Sequence, residues 1–172
     1  MDIHQLKQFN ILVIGDSCND IYHYGTCDRL SPEAPVPVFV EKERDTRPGM
    51  SSNVFSNLKS IGVKVDHMTH KEVIEKHRYV DSRFKQHLMR VDIGDNIIQQ
   101  PFRMEELKKT EQYDAIIISD YNKGFLTRRI CSYICKYFKK LNVPVFVDSK
   151  KKDLSCFENC IIKINEIEYD ES

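Results

Sequence analysis

Unbroken apolar runs, each closed by a polar or turn-forming residue, recur along this chain. Asn10–Gly15 reads NILVIG, Tyr113–Asp120 reads YDAIIISD, Val143–Asp148 reads VPVFVD and Cys160–Ile164 reads CIIKI. Short continuous runs of this kind predict strands buried on both faces, as in a parallel sheet covered by helices. Val63–Met68 is a further candidate strand. Between the runs the period becomes helical. Arg47–Ile61 opens at a Pro-Gly turn and places apolar residues at 54, 55, 58 and 61, with Ser51 or Ser52 as the predicted N-cap. Leu126–Leu141 predicts a second helix and Met104–Thr110 a short amphipathic one. Strands alternating with helices imply an α/β fold with right-handed crossovers. The expectation is one domain over residues 1–172.

Two stretches depart from that alternation. Ile21–Arg29 alternates bulky and polar residues, and Ala34–Val40 is extended and carries Pro35 and Pro37. A proline cannot donate to a β-ladder, so this strand belongs at an edge or outside the main sheet. Together they predict a β-flap inserted at about residues 21–45. His77–Val91 predicts a strand pair turning near Asp81–Lys85.

Composition narrows the classes of function. Lys+Arg and Asp+Glu are equal at 26 each, giving a formal net charge of zero, which argues against an electrostatic nucleic-acid or membrane partner. The N-terminal residues lack the basic and apolar regions of a signal peptide, and no apolar run reaches membrane-helix length. A cytoplasmic protein is expected. Cys131–Cys135 and Cys156–Cys160 are each spaced i, i+4, wider than the usual CxxC of a thiolate zinc site. Cys131 and Cys135 fall in the apolar-periodic segment 130–138 and read as small buried hydrophobes. His67, His70, His77 and His87 are scattered and suggest no ligand set; no metal site is expected.

The strands deliver polar groups at their C-terminal ends: Asp16, Asp120, Asp148 and Asn165. In open α/β sheets that edge is where ligands bind.

These residues resemble the ribokinase-like (PfkB) carbohydrate kinases, most closely the branch that phosphorylates heptose 7-phosphate in ADP-heptose synthesis. GDSCNDIYHYG is similar to that branch's GDxxxDxYxxG, and RLSPEAPVPVF to its RISPEAPVPV. RPGMSSNVFSNLKSIG resembles RPGGAANVAxNLxxLG, and HLMRVD falls in a Q-x-L-x-R-x-D strand pattern that begins at Gln86. SDYNKGFLT is similar to SDYxKGxLT, VPVFVDSKKKDL to VPVxVDPKxxDF, and NEIE stands where the family has NxxE. The matches are collinear over about residues 10–169.

The resemblance implies sugar contacts from Asp16, Asp20, Gly49 and Asn53, with Met50 standing where the family has a second glycine and able to narrow the pocket. Strand-end carboxylates suit a polyol because they accept hydrogen bonds from adjacent hydroxyls. The alternatives are a turn cap for Asp16, a solvated Asp20 and a helix-start cap for Asn53. Arg78, Gln86 and Arg90 are candidates to meet a sugar phosphate or to line the flap, Lys123 and Lys150 follow strand ends and are candidates to face a substrate or nucleotide phosphate, and Asn165 and Glu168 resemble the residues that position the nucleotide's phosphates and metal. Solvated side chains are the alternative for each.

The six glycines are 15, 25, 49, 62, 94 and 124, so GxGxxG, P-loop and GxGD elements are missing from the sequence given. Phosphoryl transfer depends on such backbone cradles and a base for the attacking hydroxyl. The expectation is a truncated ribokinase-like domain with no catalytic residue, binding a sugar or sugar phosphate without transferring phosphate by itself. ATP and Mg would enter only if a complementary kinase fragment bearing the GAGD element completed it. A third possibility is a structural or regulatory subunit that pairs with a full-length kinase. Tyr22, Tyr24, Val36, Val38, Phe39 and Val40 give the flap an apolar face, which predicts a homodimer through it.

Overall fold

β1 (Asn10–Gly15) lies at the centre of the molecule, and its Leu12, Val13 and Ile14 are fully buried. The computed structural model describes residues 7–95, 98, 100–109, 113–163, 165 and 166. After β1 come β2 (Ser17–Leu30), β3 (Pro37–Met50), α1 (Ser51–Ser60), β4 (Lys64–Met68), β5 (Glu75–Asp81) and β6 (His87–Ile93). A 3-10 helix (Met104–Lys109), β7 (Ala115–Asp120), α2 (Arg128–Lys140), β8 (Val145–Ser149) and β9 (Ile161–Ile162) complete the order.

Two sheets result. One is parallel, in the order β4-β1-β7-β8-β9, with Leu12 opposite Ile116 and Ile118 opposite Val147. These apolar pairs explain the continuous runs in β1 and β7, which are covered on both faces, whereas β8 and β9 expose Phe146, Ile161 and Ile162. α2 covers one face with Ile130, Cys131, Ile134, Cys135 and Phe138, all buried in the same core as Leu12, Ile116 and Val147. Thr127 caps α2 through its side-chain oxygen, which accepts from the Ile130 amide at 3.3 Å.

The second sheet is the flap, in the order β3-β2-β5-β6. Its strands run over 17–30 and 37–50, longer than the predicted segment, and it also takes in the 77–91 strand pair. β3 is an edge strand, as Pro35 and Pro37 require. Inside the flap, His23 is buried and stacked at 4.5 Å on Tyr79. Its Nδ1 lies 2.7 Å from Glu41 Oε2 and its Nε2 lies 2.8 Å from His77 Nδ1. A polar flap interior of this kind leaves no clean apolar alternation to read.

The start of α1 differs from the sequence expectation. Neither Ser51 nor Ser52 is the N-cap. β3 runs without a Pro-Gly turn straight into the helix, and Met50 holds the N-cap position at φ 54 with no side-chain cap bond. Ser51 is buried in the first helical position, where its hydroxyl lies 2.9 Å from His67 Nε2 and its amide donates to the Asp16 carbonyl at 2.9 Å.

Candidate functional site

The parallel sheet and the flap meet at the C-terminal ends of β1 and β7, where Asp16 is the single residue between β1 and β2. Asp16 is fully buried. Its Oδ2 accepts the Tyr121 amide at 2.7 Å and the Lys123 amide at 3.3 Å, so it ties the β7–α2 loop to the end of β1. Its Oδ1 is buried without a hydrogen-bond partner. Burial holds the carboxyl above the ordinary aspartate range, the two amides oppose that, and nearby Asp120 adds to it.

Asp20, four residues on in β2, is only partly buried. Arg78 from β5 grips one of its oxygens, Oδ1, with Nε at 2.8 Å and Nη2 at 2.7 Å. That single-oxygen grip leaves Oδ2 able to accept another donor. Gly49, buried opposite Cys18 in the β2–β3 ladder, lets Asp20 Oδ2 and the Cys18 sulfur pack close to the backbone, for a Cβ there would collide with both. Met50 packs beneath, with Cys18 and Ile74, and Tyr121 and Ile98 lie against this small cluster. Burial and the Asp20 charge push the Cys18 thiol up to about 11.

A ring of cations surrounds that floor. Lys76 and Lys150 each stand 5.7 Å from the centre of the Tyr121 ring. Lys123 pairs with Asp95, and Lys150 lies 3.8 Å from Asp148. The structure thus brings Asp20, Gly49, Met50, Arg78, Lys123 and Lys150 to one junction. Asn53 is exposed on the first turn of α1. Gln86 is exposed just before β6, and Arg90 is exposed on that far strand of the flap, where it pairs with Asp92 at 2.8 Å. Asn165 is exposed just after β9, and Glu168 lies outside the described residues.

Sequence reasoning passed over several residues. Lys76 and Tyr121 belong to the cation ring, and the K-x-R spacing on a strand that puts Lys76 beside Arg78 was the available signal. Lys151 is the buried lysine of the 150–152 run, held 2.8 Å from Asp120 Oδ2. Asp120 also accepts from Ser149 Oγ at 2.7 Å and from the Asn122 amide at 3.0 Å, so this strand-end acid is committed to holding the loop. Two clefts of about 330 and 200 Å³ lie beside the junction and share His70, Lys71 and Glu72; neither is lined by Asp20, Gly49 or Arg78. Among the described residues no three His, Cys, Asp or Glu side chains are grouped to hold a metal ion.

The parallel sheet with its flap defines a ribokinase-like fold. Arabidopsis thaliana ribokinase, solved with ribose and ATP, superposes with a TM-score of 0.60 at 14% identity, over 95% of this chain and 62% of that one. Escherichia coli phosphofructokinase-2, solved with potassium, gives 0.61 at 12% identity over the same shares. No family model matches the chain. In sequence it is 32% identical over 176 residues to the bifunctional protein HldE of Campylobacter jejuni and 33% identical over 184 residues to HldE of Aliarcobacter butzleri, covering 88% of this chain in each case. The chain has the ribokinase-like fold of these sugar kinases and is a homologue of the HldE proteins over 88% of its length. It spans 38% of the first relative and 39% of the second.

Proposed function

We propose that this chain recognises a sugar phosphate of the heptose 7-phosphate type at the junction of sheet and flap, and that the 172 residues by themselves do not transfer a phosphoryl group. The observation that carries this reading is the partly exposed Asp20 carboxylate, held by Arg78 through Oδ1 while Oδ2 packs against Gly49 and has no second cation on it. A sugar hydroxyl can donate to that second oxygen, and the surrounding lysines suit a phosphate. The reading without transfer rests on the sequence given, in which no GxGxxG, P-loop or GxGD element occurs. Cytoplasmic residence fits such a ligand; among the described residues no helix is long and apolar enough to cross a membrane.

Calorimetry with heptose 7-phosphate tests it. Binding by the parent chain, weakened roughly 10- to 100-fold by Asp20→Ala, is the expected result, the size of a lost hydrogen bond to a charged group. Equal binding by the variant, or none by the parent, overturns the reading. ATP consumption by the purified chain with this sugar would overturn the second half.

Two other readings each have an observation in their favour. Ile161, Ile162 and Phe146 are 55%, 37% and 41% exposed at the β9 edge, which suits completion by a second polypeptide bearing a GAGD element and bringing ATP and Mg. Leu30, Val36 and Val40 are exposed on the flap, which suits a homodimer or pairing with a full-length kinase.

A further inference from the structure

Residues 67–70, at the end of β4 and just beyond it, touch both ends of the β2–β3 pair. At one end Ser17 opens β2. Its amide donates to His70 Nε2 at 3.0 Å, and its hydroxyl accepts from Thr69 Oγ1 at 2.8 Å. At the other end Ser51 follows β3, and its hydroxyl lies 2.9 Å from His67 Nε2. Two imidazoles three residues apart therefore fasten the flap's first two strands to the edge of the parallel sheet.

The two contacts differ in what they allow. The Ser51 hydroxyl rotates and both donates and accepts, so it meets His67 in either protonation state. The partners of His70 have no such freedom. A backbone amide only donates, and the Glu72 carbonyl, 2.8 Å from His70 Nδ1, only accepts. One species alone makes both bonds, the neutral imidazole with its proton on Nδ1. A second proton, on Nε2, sets N–H against N–H and leaves the Ser17 amide without its acceptor.

We propose that His70 is an acid-released latch: the neutral ring fastens the first residue of β2 to the segment after β4, and protonation at Nε2 frees it. The charged and titratable groups around the ring come from each element packed on it. Glu72 Oε2 is 3.9 Å from Nδ1, and Asp16 after β1 and His67 in β4 are within electrostatic reach. Lys71, Arg103 and Glu106 line the cleft of about 330 Å³ beside it, and the Phe125 ring stands edge-on at 5.8 Å. With Glu72 and Asp16 nearby, an imidazolium formed there is not left without counter-charge. The bond to Ser17 is what it gives up.

NMR of the full chain labelled with 15N tests the latch. At pH 7.5, long-range ring correlations should show His70 protonated at Nδ1 and bare at Nε2; the opposite tautomer overturns the proposal. Between pH 7.5 and 5.5, where histidine changes charge, the Ser17 amide should lose about tenfold of its protection against hydrogen exchange, corrected for the intrinsic rate, the size of one lost hydrogen bond. The Ile116 amide, bonded to the Pro144 carbonyl in the core sheet, is the reference and should keep its protection. His70→Gln supplies an amide oxygen that accepts from Ser17 and takes no proton, so its Ser17 protection should be the same at both pH values. Loss in parent and variant alike, or no loss in the parent, overturns the proposal. Should His70→Gln fail to fold, the parent decides: the Ser17 amide resonance should shift with the same midpoint as the His70 ring, and a different midpoint overturns the latch.

Discussion

Met50 sets two effects against each other. Its φ of 54 lies in the left-handed region, which costs a residue with a Cβ about 1–2 kcal/mol. Its side chain is 6% exposed against Cys18 and Ile74, and burial of a methionine contributes roughly 1.5–3 kcal/mol. Burial outweighs strain. Met50→Gly is expected to lower stability by about 1 kcal/mol, and Met50→Ala by about 3 kcal/mol, because alanine keeps the strain and loses the packing. Urea unfolding of the two variants gives the order, and an alanine variant more stable than the glycine one would refute it. Asp16 makes a separate prediction. Burial raises its carboxyl in the folded state, so the folded protein carries a buried charge at neutral pH and is relieved of it as pH falls. Asp16→Asn keeps an oxygen for the Tyr121 and Lys123 amides. It should be at least as stable as the parent at pH 7, with an advantage that shrinks toward pH 4 in thermal melts. The opposite sign applies at Asp81, which Arg83 and the Arg83 and Phe84 amides hold down to about 2. Its contribution to the β5–β6 turn is present above the unfolded value of 3.8 and is lost as pH falls through about 2; an NMR titration of Asp81 reads this directly.

At the scale of elements, α2 and α1 contrast. α2 has a side-chain cap at Thr127 and lysines in its last turn, where they face the negative end of the helix dipole. Thr127→Ala should cost about 1 kcal/mol of stability by urea unfolding. β1, β7 and α2 were legible in the sequence because full burial of a strand or one stripe of a helix writes itself directly into the order of residues, and β8 was legible from its apolar run although Phe146 is exposed. The start of α1 was not, since Ser51 has the right chemistry for a cap but its hydroxyl is taken by His67 across the sheet. β6 was found as one arm of a strand pair, yet its partner strand joins β2, which no local pattern announces. At the site, Asp20, Gly49 and Arg78 came from motif likeness, and their contact could be known only from structure. Lys150 drew notice in the basic run, but only burial distinguishes the committed Lys151 beside it.

For the whole molecule, the two exposed apolar margins lead to different experiments. If the flap face carries a homodimer, sedimentation at micromolar concentration should show a dimer, and Val40→Asp should shift it toward monomer without changing the parallel-sheet core. A parent that sediments as a monomer excludes that assembly. The β9 edge makes a different demand, because Ile161 and Ile162 are exposed there. An edge strand of two residues has little pairing of its own, so its attachment depends on the segment that precedes it.

The single residue between β1 and β2 also has a mechanical meaning. A flap of four strands leaves the central strand through Asp16, whose carboxylate grips the two amides of the loop after β7. Asp16 is thus one chain link between flap and parallel sheet, beside the β3–α1 junction at Met50 and Ser51, and its carboxylate couples that link to the Tyr121 and Lys123 amides. Closure over a ligand at Asp20 would be felt at those two amides, some hundred residues away in the chain, as slowed hydrogen exchange before any side chain there touched the ligand.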